Sequence, residues 1–110
     1  MIIWNDKMFV TEGAREKLNK IKKKLEKPDK IRFGAYLITL SSNGKDLFDI
    51  YNLQFFPSKH FKYAGYDANI VGVAESMEEA SKLVGNIVLA FEKKYGEISH
   101  EKILEYFNEV

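Results

Sequence analysis

Residues 35–51 read Ala35-Tyr-Leu-Ile-Thr-Leu-Ser-Ser-Asn43-Gly44-Lys-Asp-Leu-Phe-Asp-Ile-Tyr51. Two runs of aliphatic, aromatic and β-branched residues flank Asn-Gly, the dipeptide that best tolerates the positive φ angles of a tight hairpin turn. The first run begins at Ile31 and ends at Leu40. With Asn43 and Gly44 at the centre of the turn, Leu40 faces Leu47, Ile38 faces Asp49, Leu37 faces Ile50 and Tyr36 faces Tyr51. Both faces of the first strand are then largely apolar, which predicts a central strand or one covered from both sides.

The reading extends outward from this hairpin. Asn69 to Ala74 is a third short strand, and Ser76 with Glu79 has the spacing of a capping box opening a helix. Ala80, Leu83, Val84, Ile87, Val88, Phe91 and Tyr95 give that helix a wide apolar stripe, and Gly96 suits a left-handed C-cap. Ile98 before a Ser99 cap, with Ile103 beyond it, fits a hydrophobic staple starting a last helix that packs through Ile103, Leu104, Phe107 and Val110. Toward the N-terminus, Ile2 to Val10 forms two apolar pieces around Asn5-Asp6, a turn-forming pair that suggests a small hairpin or an edge strand. Thr11 caps a helix whose stripe is Ala14, Leu18, Ile21 and Leu25, and Pro28 stops it. The fold class is α+β: a three- or four-stranded antiparallel sheet, helices packed mainly on one face, order (β)-α-β-β-β-α-α, as one domain over residues 1–110.

Composition bounds the function. A chain of 110 residues has room for one core, and its 45% apolar and 30% charged content is that of a folding domain. With no cysteine there is no disulfide, thiolate nucleophile or thiolate metal site. The N-terminal Met-Ile-Ile-Trp-Asn-Asp has no basic region leading into a long apolar one, and no apolar run reaches membrane-spanning length, so a cytoplasmic protein without a membrane partner is expected. The net charge of +1 conceals segregation: nine basic against three acidic residues from Arg15 to Arg32, then four basic against nine acidic from Tyr63 to Val110. Such a dipole steers an acidic partner to one face or favours head-to-tail self-association.

Three groups of residues are candidates for function. Phe55, Phe56, Phe61, Tyr63 and Tyr66 place five of the fifteen aromatics within twelve positions, with Lys59, His60 and Lys62 among them. Aromatic faces interleaved with cations serve for stacking on single-stranded nucleic acid or on a partner peptide. So much apolar area must be partly buried, which assigns Phe55, Phe56 and Phe61 to the core and leaves Lys59, His60, Lys62, Tyr63 and Tyr66 as the candidate surface. On the first helix, Lys20, Lys23 and Lys24 offer either a phosphate-contacting surface or a solvated outer face. For catalysis only His60 and His100 are available as imidazole bases; His60 with Asp67 and a serine would make a small hydrolase. The glutamates at 97, 101 and 105 share a face without histidine or cysteine, which reads as a wet acidic face rather than a metal site, and the scattered glycines form no phosphate cradle.

The α-β-β-β-α order with a basic first helix resembles the double-stranded RNA-binding domain, over roughly residues 11–95; its second helix opens Ser76-Met77-Glu78-Glu79-Ala80-Ser81-Lys82, acidic where that family carries lysines. Residues 70–80, Ile-Val-Gly-Val-Ala-Glu-Ser-Met-Glu-Glu-Ala, resemble the strand-to-helix junction of HicB-type antitoxins. The stretch from Tyr36 through Asp46-Leu47-Phe48-Asp49-Ile50-Tyr51 to Val84 is similar to small uncharacterised α+β proteins of Gram-positive anaerobes. The expectation is a cofactor-free, non-catalytic binding or regulatory module working through protein–protein contacts, including contacts with itself. The alternatives are an RNA-binding module using the basic helix 15–32 with the 55–66 segment, and the small hydrolase.

Overall fold

A computed structural model describes residues 2–26, 34–41, 47–56 and 68–108. Their elements run β1 (Ile2–Val10), α1 (Glu12–Arg15), α2 (Leu18–Glu26), β2 (Tyr36–Leu40), β3 (Phe48–Asn52), a 3-10 turn (Leu53–Phe55), β4 (Ala68–Ala74), α3 (Met77–Tyr95) and α4 (His100–Asn108). The four strands lie in the order β1-β4-β2-β3. β2 is antiparallel to both β3 and β4, but β1 runs parallel to β4, so the sheet is mixed rather than antiparallel. The last strand in the chain is inserted between the first two, and each side of it finds a different pairing geometry.

Both faces of this sheet are covered, contrary to the expectation of helices mainly on one. Leu37, Ile70 and Val73 meet Ala14 and Ile21 of the N-terminal helices in one core. Ile38, Val71 and Ala74 meet Ala80, Ile87, Phe91, Ile103 and Phe107 of α3 and α4 in the other. Successive side chains of a strand point to opposite faces, so a strand that reads as a continuous apolar run needs a helix layer on each side. β4 is that strand, with every residue but Asn69 buried.

The hairpin register also differs from expectation, by one residue. Leu40 pairs with Phe48, Ile38 with Ile50, Leu37 with Tyr51 and Tyr36 with Asn52. The Ser41 N–H donates to the Leu47 carbonyl, leaving the odd number of residues 42–46 between them, where a two-residue Asn43-Gly44 turn requires an even number. The observed pairing matches Leu37 with Tyr51 on one face and Ile38 with Ile50 on the other, instead of setting Ile38 against Asp49. Face consistency with two cores decides the register. Asn43, Gly44 and Pro28 lie outside the described residues.

Two irregularities shape the sheet. On the β2 side, Ile38 pairs with Gly72 and Thr39 with Ile70, so Val71 is an extra residue that turns Ile70 and Val73 to the same core. On the β1 side, Trp4 pairs with Ile70 and Phe9 with Gly72, leaving residues 5–8 as a broad bulge. The Asn5 side chain accepts from the Lys7 N–H at 2.9 Å, so the turn chemistry of Asn5-Asp6 is spent inside one edge strand and not on a hairpin.

Local helix signals are realised closely. Thr11 Oγ1 accepts from the Ala14 N–H and donates to the Glu75 carboxylate, tying the start of α1 to the end of β4. The predicted first helix is divided: the Lys17 N–H bonds to the Ala14 carbonyl three residues back, and regular bonding resumes with Ile21 to Lys17. Ser76 caps α3 by accepting from the Glu79 N–H, and Gly96 ends it at φ +79°. Ser99 Oγ accepts from the Lys102 N–H, with Ile98 packed against the core that buries Ile103. After β3, Asn52 caps the 3-10 turn through the Gln54 N–H. Residues three apart in such a turn share a face, which directs Leu53 and Phe56 inward and leaves Phe55 78% exposed, against its assignment to the core. Among the described residues no helix is long and apolar enough to cross a membrane.

Gly72 of β4 pairs with Ile38 of β2; a Cβ there would sit 2.9 Å from Ile38 Cδ1 and 3.1 Å from Ile38 Cβ. Gly72→Ala is expected to destabilise the protein by about 1–3 kcal/mol, read by urea unfolding. Ile38→Val removes Cδ1, so the double variant should cost less than the sum of the single ones; simple additivity would show that the close approach is not the cause.

Candidate functional site

The C-terminal end of α3 and the start of α4 fold back on each other because Gly96 turns the chain and Ser99 restarts a helix at once. This brings Phe91 and Tyr95 of α3 against Tyr106 and Phe107 of α4. Phe91, nearly buried, stands edge-on to Tyr106 at 4.9 Å between centroids and stacks on Tyr95 at 5.6 Å. Phe9 of β1 completes the group, edge-on to Phe107 at 6.2 Å. Edge-to-face and offset contacts of this kind stabilise beyond burial alone.

Over these rings lies an alternating ladder of cations and tyrosines. Lys7 Nζ is 4.7 Å from the Tyr106 centroid; Lys94 Nζ is 5.3 Å from Tyr106 and 5.3 Å from Tyr95; Lys102 Nζ is 5.9 Å from Tyr95. Lys7 also donates to the Tyr106 carbonyl at 2.9 Å, placing a cation at the negative C-terminal end of α4, whose own last turn has none. Beside it Asn5 Nδ2 donates to the Phe107 carbonyl at 2.8 Å and to Asn69 Oδ1 at 3.2 Å. The β1 bulge therefore delivers two side chains to the end of the last helix. Lys102 additionally pairs with Glu97 at 3.4 Å. Between the rungs, Phe9, Ala90, Phe91, Lys94 and Tyr106 line a small depression of about 80 Å³. Next to it Leu89 is 63% exposed.

A second concavity, about 320 Å³, lies between β1 and the N-terminal helices, lined by Trp4, Asp6, Met8, Arg15, Leu18 and Lys22 among others. Lys22 Nζ stands 5.4 Å from the Trp4 ring. Of the residues singled out in the sequence, Lys20 and Lys23 are exposed and Lys24 is half-buried on α2, while Lys59, His60, Phe61, Lys62, Tyr63 and Tyr66 lie outside the described residues. Glu97, Glu101 and Glu105 are exposed. His100 Nδ1 is buried without a hydrogen-bond partner. Among the described residues no three histidine, aspartate or glutamate side chains are grouped to hold a metal ion.

The ladder draws on positions 7, 94, 95, 102 and 106, so no window of sequence displays it. Its traces are the adjacent Lys94-Tyr95 at one helix end and Tyr106-Phe107 at another. Chemically it offers packed aromatic edges, cations and an apolar depression, a combination suited to recognition of acidic, partly apolar surfaces. No family model, curated protein or solved structure matches the chain.

Asn5→Ala should cost about 1–3 kcal/mol in denaturant unfolding, because it removes the donor to the Phe107 carbonyl and to Asn69 Oδ1 together. Lys94→Met removes only exposed cation–ring contacts and should cost about 1 kcal/mol or less. On β3, burial and then the nearby Asp49 charge raise the Tyr51 hydroxyl above its ordinary value of 10.0. Folding thus favours the protonated phenol. Its contribution is whole below pH 10.0 and is lost as the pH rises through the folded value. Tyr51→Phe should flatten that alkaline decline in stability, measured by denaturation at stepped pH.

Proposed function

We propose that this chain is a non-catalytic, cytoplasmic binding module that acts through protein–protein contacts, and that the cation–tyrosine ladder is its recognition face. One observation carries the reading: Lys94 is shared by two tyrosine rings at 5.3 Å each, at the edge of an apolar depression floored by Phe91. Aromatic side chains around a small apolar pocket are the usual anchors of an interface, and pre-packed rings lose little freedom when a partner docks. Lys7, Lys94 and Lys102 stand over the ladder's rings, which favours a partner segment with carboxylates around an aliphatic or aromatic anchor.

The alternative of an RNA-binding module draws support from a different place, the Trp4 concavity with Lys22 over its ring and Arg15 on its wall, next to exposed Lys20 and Lys23. A base stacked on Trp4 with phosphates on α2 would bind with steep salt dependence.

Selection of peptides from a random displayed library on the folded chain is expected to enrich acidic sequences with one large apolar residue, and Lys94→Glu should abolish their binding while the fold persists. Enriched peptides indifferent to Lys94→Glu and to Leu89→Asp would remove the ladder from consideration. Retention of a single-stranded RNA oligomer at low salt, lost with Lys20→Glu and Lys23→Glu, would decide for the nucleic-acid reading instead.

A further inference from the structure

The concavity of about 320 Å³ at Trp4 forms where two breaks in regular structure meet. Residues 5–8 of β1 leave their pairing with β4, and the N-terminal helix is divided between Arg15 and Leu18. Trp4, Met8, Val10 and Leu18 pack at the margin of the N-terminal core and remain only half-buried, because strand and helix do not close on each other there. Phe9, which serves the ladder, turns to the other core, so the concavity and the ladder lie on opposite faces of the sheet. Its volume and apolar lining are those of a small-molecule site.

The charges on its wall specify the ligand further. Arg15 and Lys22 stand there with one carboxylate, Asp6. None of the three forms an ion pair with another described residue. Lys22 is half-buried with its Nζ 5.4 Å from the Trp4 ring, so a cation is held beside the apolar lining without a counterion among the described residues. In a partly desolvated place an anion gains more from such a cation than it would in open water. Arg15 adds a planar fork, the geometry that takes a carboxylate through two parallel N–H bonds. Two cations against one carboxylate leave the wall with one net positive charge, the complement of a monoanion.

We infer that this concavity binds a small monocarboxylate with an apolar body, the carboxylate between Arg15 and Lys22 and the body against Trp4, Met8 and Leu18. A bare carboxylate would leave the apolar lining wet, and an uncharged apolar molecule would leave both cations unpaired. An ammonium has three donors, so Lys22 can take the carboxylate and keep its place over the ring. The inference draws on none of the ladder's cations and stands apart from the proposed recognition face.

Trp4 is the only tryptophan of the chain, so its emission reports the site directly. Titration of the full chain with phenylacetate at low ionic strength should give a saturable change in that emission, with acetate and phenylacetamide each at least about tenfold weaker. Arg15→Gln and Lys22→Gln should each weaken phenylacetate binding about tenfold, with the thermal midpoint little changed, and Asp6→Asn should tighten it. Because Lys22→Gln alters the surroundings of the ring, a chemical-shift titration of the backbone amides supplies the same affinities independently. The absence of saturable binding, phenylacetamide binding as tightly as phenylacetate, or an affinity indifferent to both Arg15→Gln and Lys22→Gln would overturn the inference. So would an affinity that falls only with Lys94→Glu, which would put the carboxylate on the ladder, or a change in Trp4 emission produced by single-stranded RNA alone.

Discussion

Everything in this fold follows from β4 being apolar on both of its faces. A strand reading Ala-Asn-Ile-Val-Gly-Val-Ala cannot lie at an edge or present one side to water, so it takes the interior position between β1 and β2 and requires a helix layer above and below. The two layers come from opposite ends of the chain, α1 and α2 from the N-terminal third and α3 and α4 from the C-terminal part. Gly72 and the extra residue at Val71 are the local adjustments that let one strand serve both cores: the glycine admits Ile38, and the bulge turns Ile70 and Val73 toward the same side. The strand is thus a shared wall, and each core depends on the other for its sheet.

How much of this could be read from sequence depended on how far apart the cooperating residues were. Thr11, Ser76, Gly96 and the Ile98–Ile103 pair act within a few positions of themselves, and each performs the capping or stapling role its chemistry implies. The one-residue register shift between β2 and β3 did not follow from Asn43-Gly44, because register answers to the two cores and not to turn propensity. Parallel pairing of β1 with β4 joins positions more than sixty residues apart, and no local pattern encodes it. Phe55 and Phe56 are chemically identical neighbours, and only the 3-10 turn between β3 and Pro57 decides which one is covered.

The same distinction separates the two versions of an aromatic and basic site. Cations and rings that alternate along the chain at 55–66 are visible at once, whereas the ladder at Lys7, Tyr106, Lys94, Tyr95 and Lys102 is assembled from three elements. Its stiffness comes from beneath, where Phe91 supports both tyrosines, and from the side, where Lys7 is fixed by the Tyr106 carbonyl. A lysine that satisfies a helix end and faces a ring is doubly constrained, so the cation is held in place before anything binds.

The hydrogen bond from Asn5 to the carbonyl of Phe107 spans 102 positions. It implies an order of events as the chain is made. Among the described elements β1 is made before the rest, but its pairing partner, β4, begins only at Ala68, and the helix end it secures arrives later still. During synthesis this strand waits with both flanks unpaired until β4 has emerged, since contacts this distant close only after the intervening segments exist. The irregularity at residues 5–8 rests in part on a local bond, from the Lys7 N–H to Asn5 Oδ1, which can form in β1 alone. A broken, twisted ladder is a poor template for pairing with other nascent chains, and the irregularity that later grips the last helix also guards the strand before that helix appears.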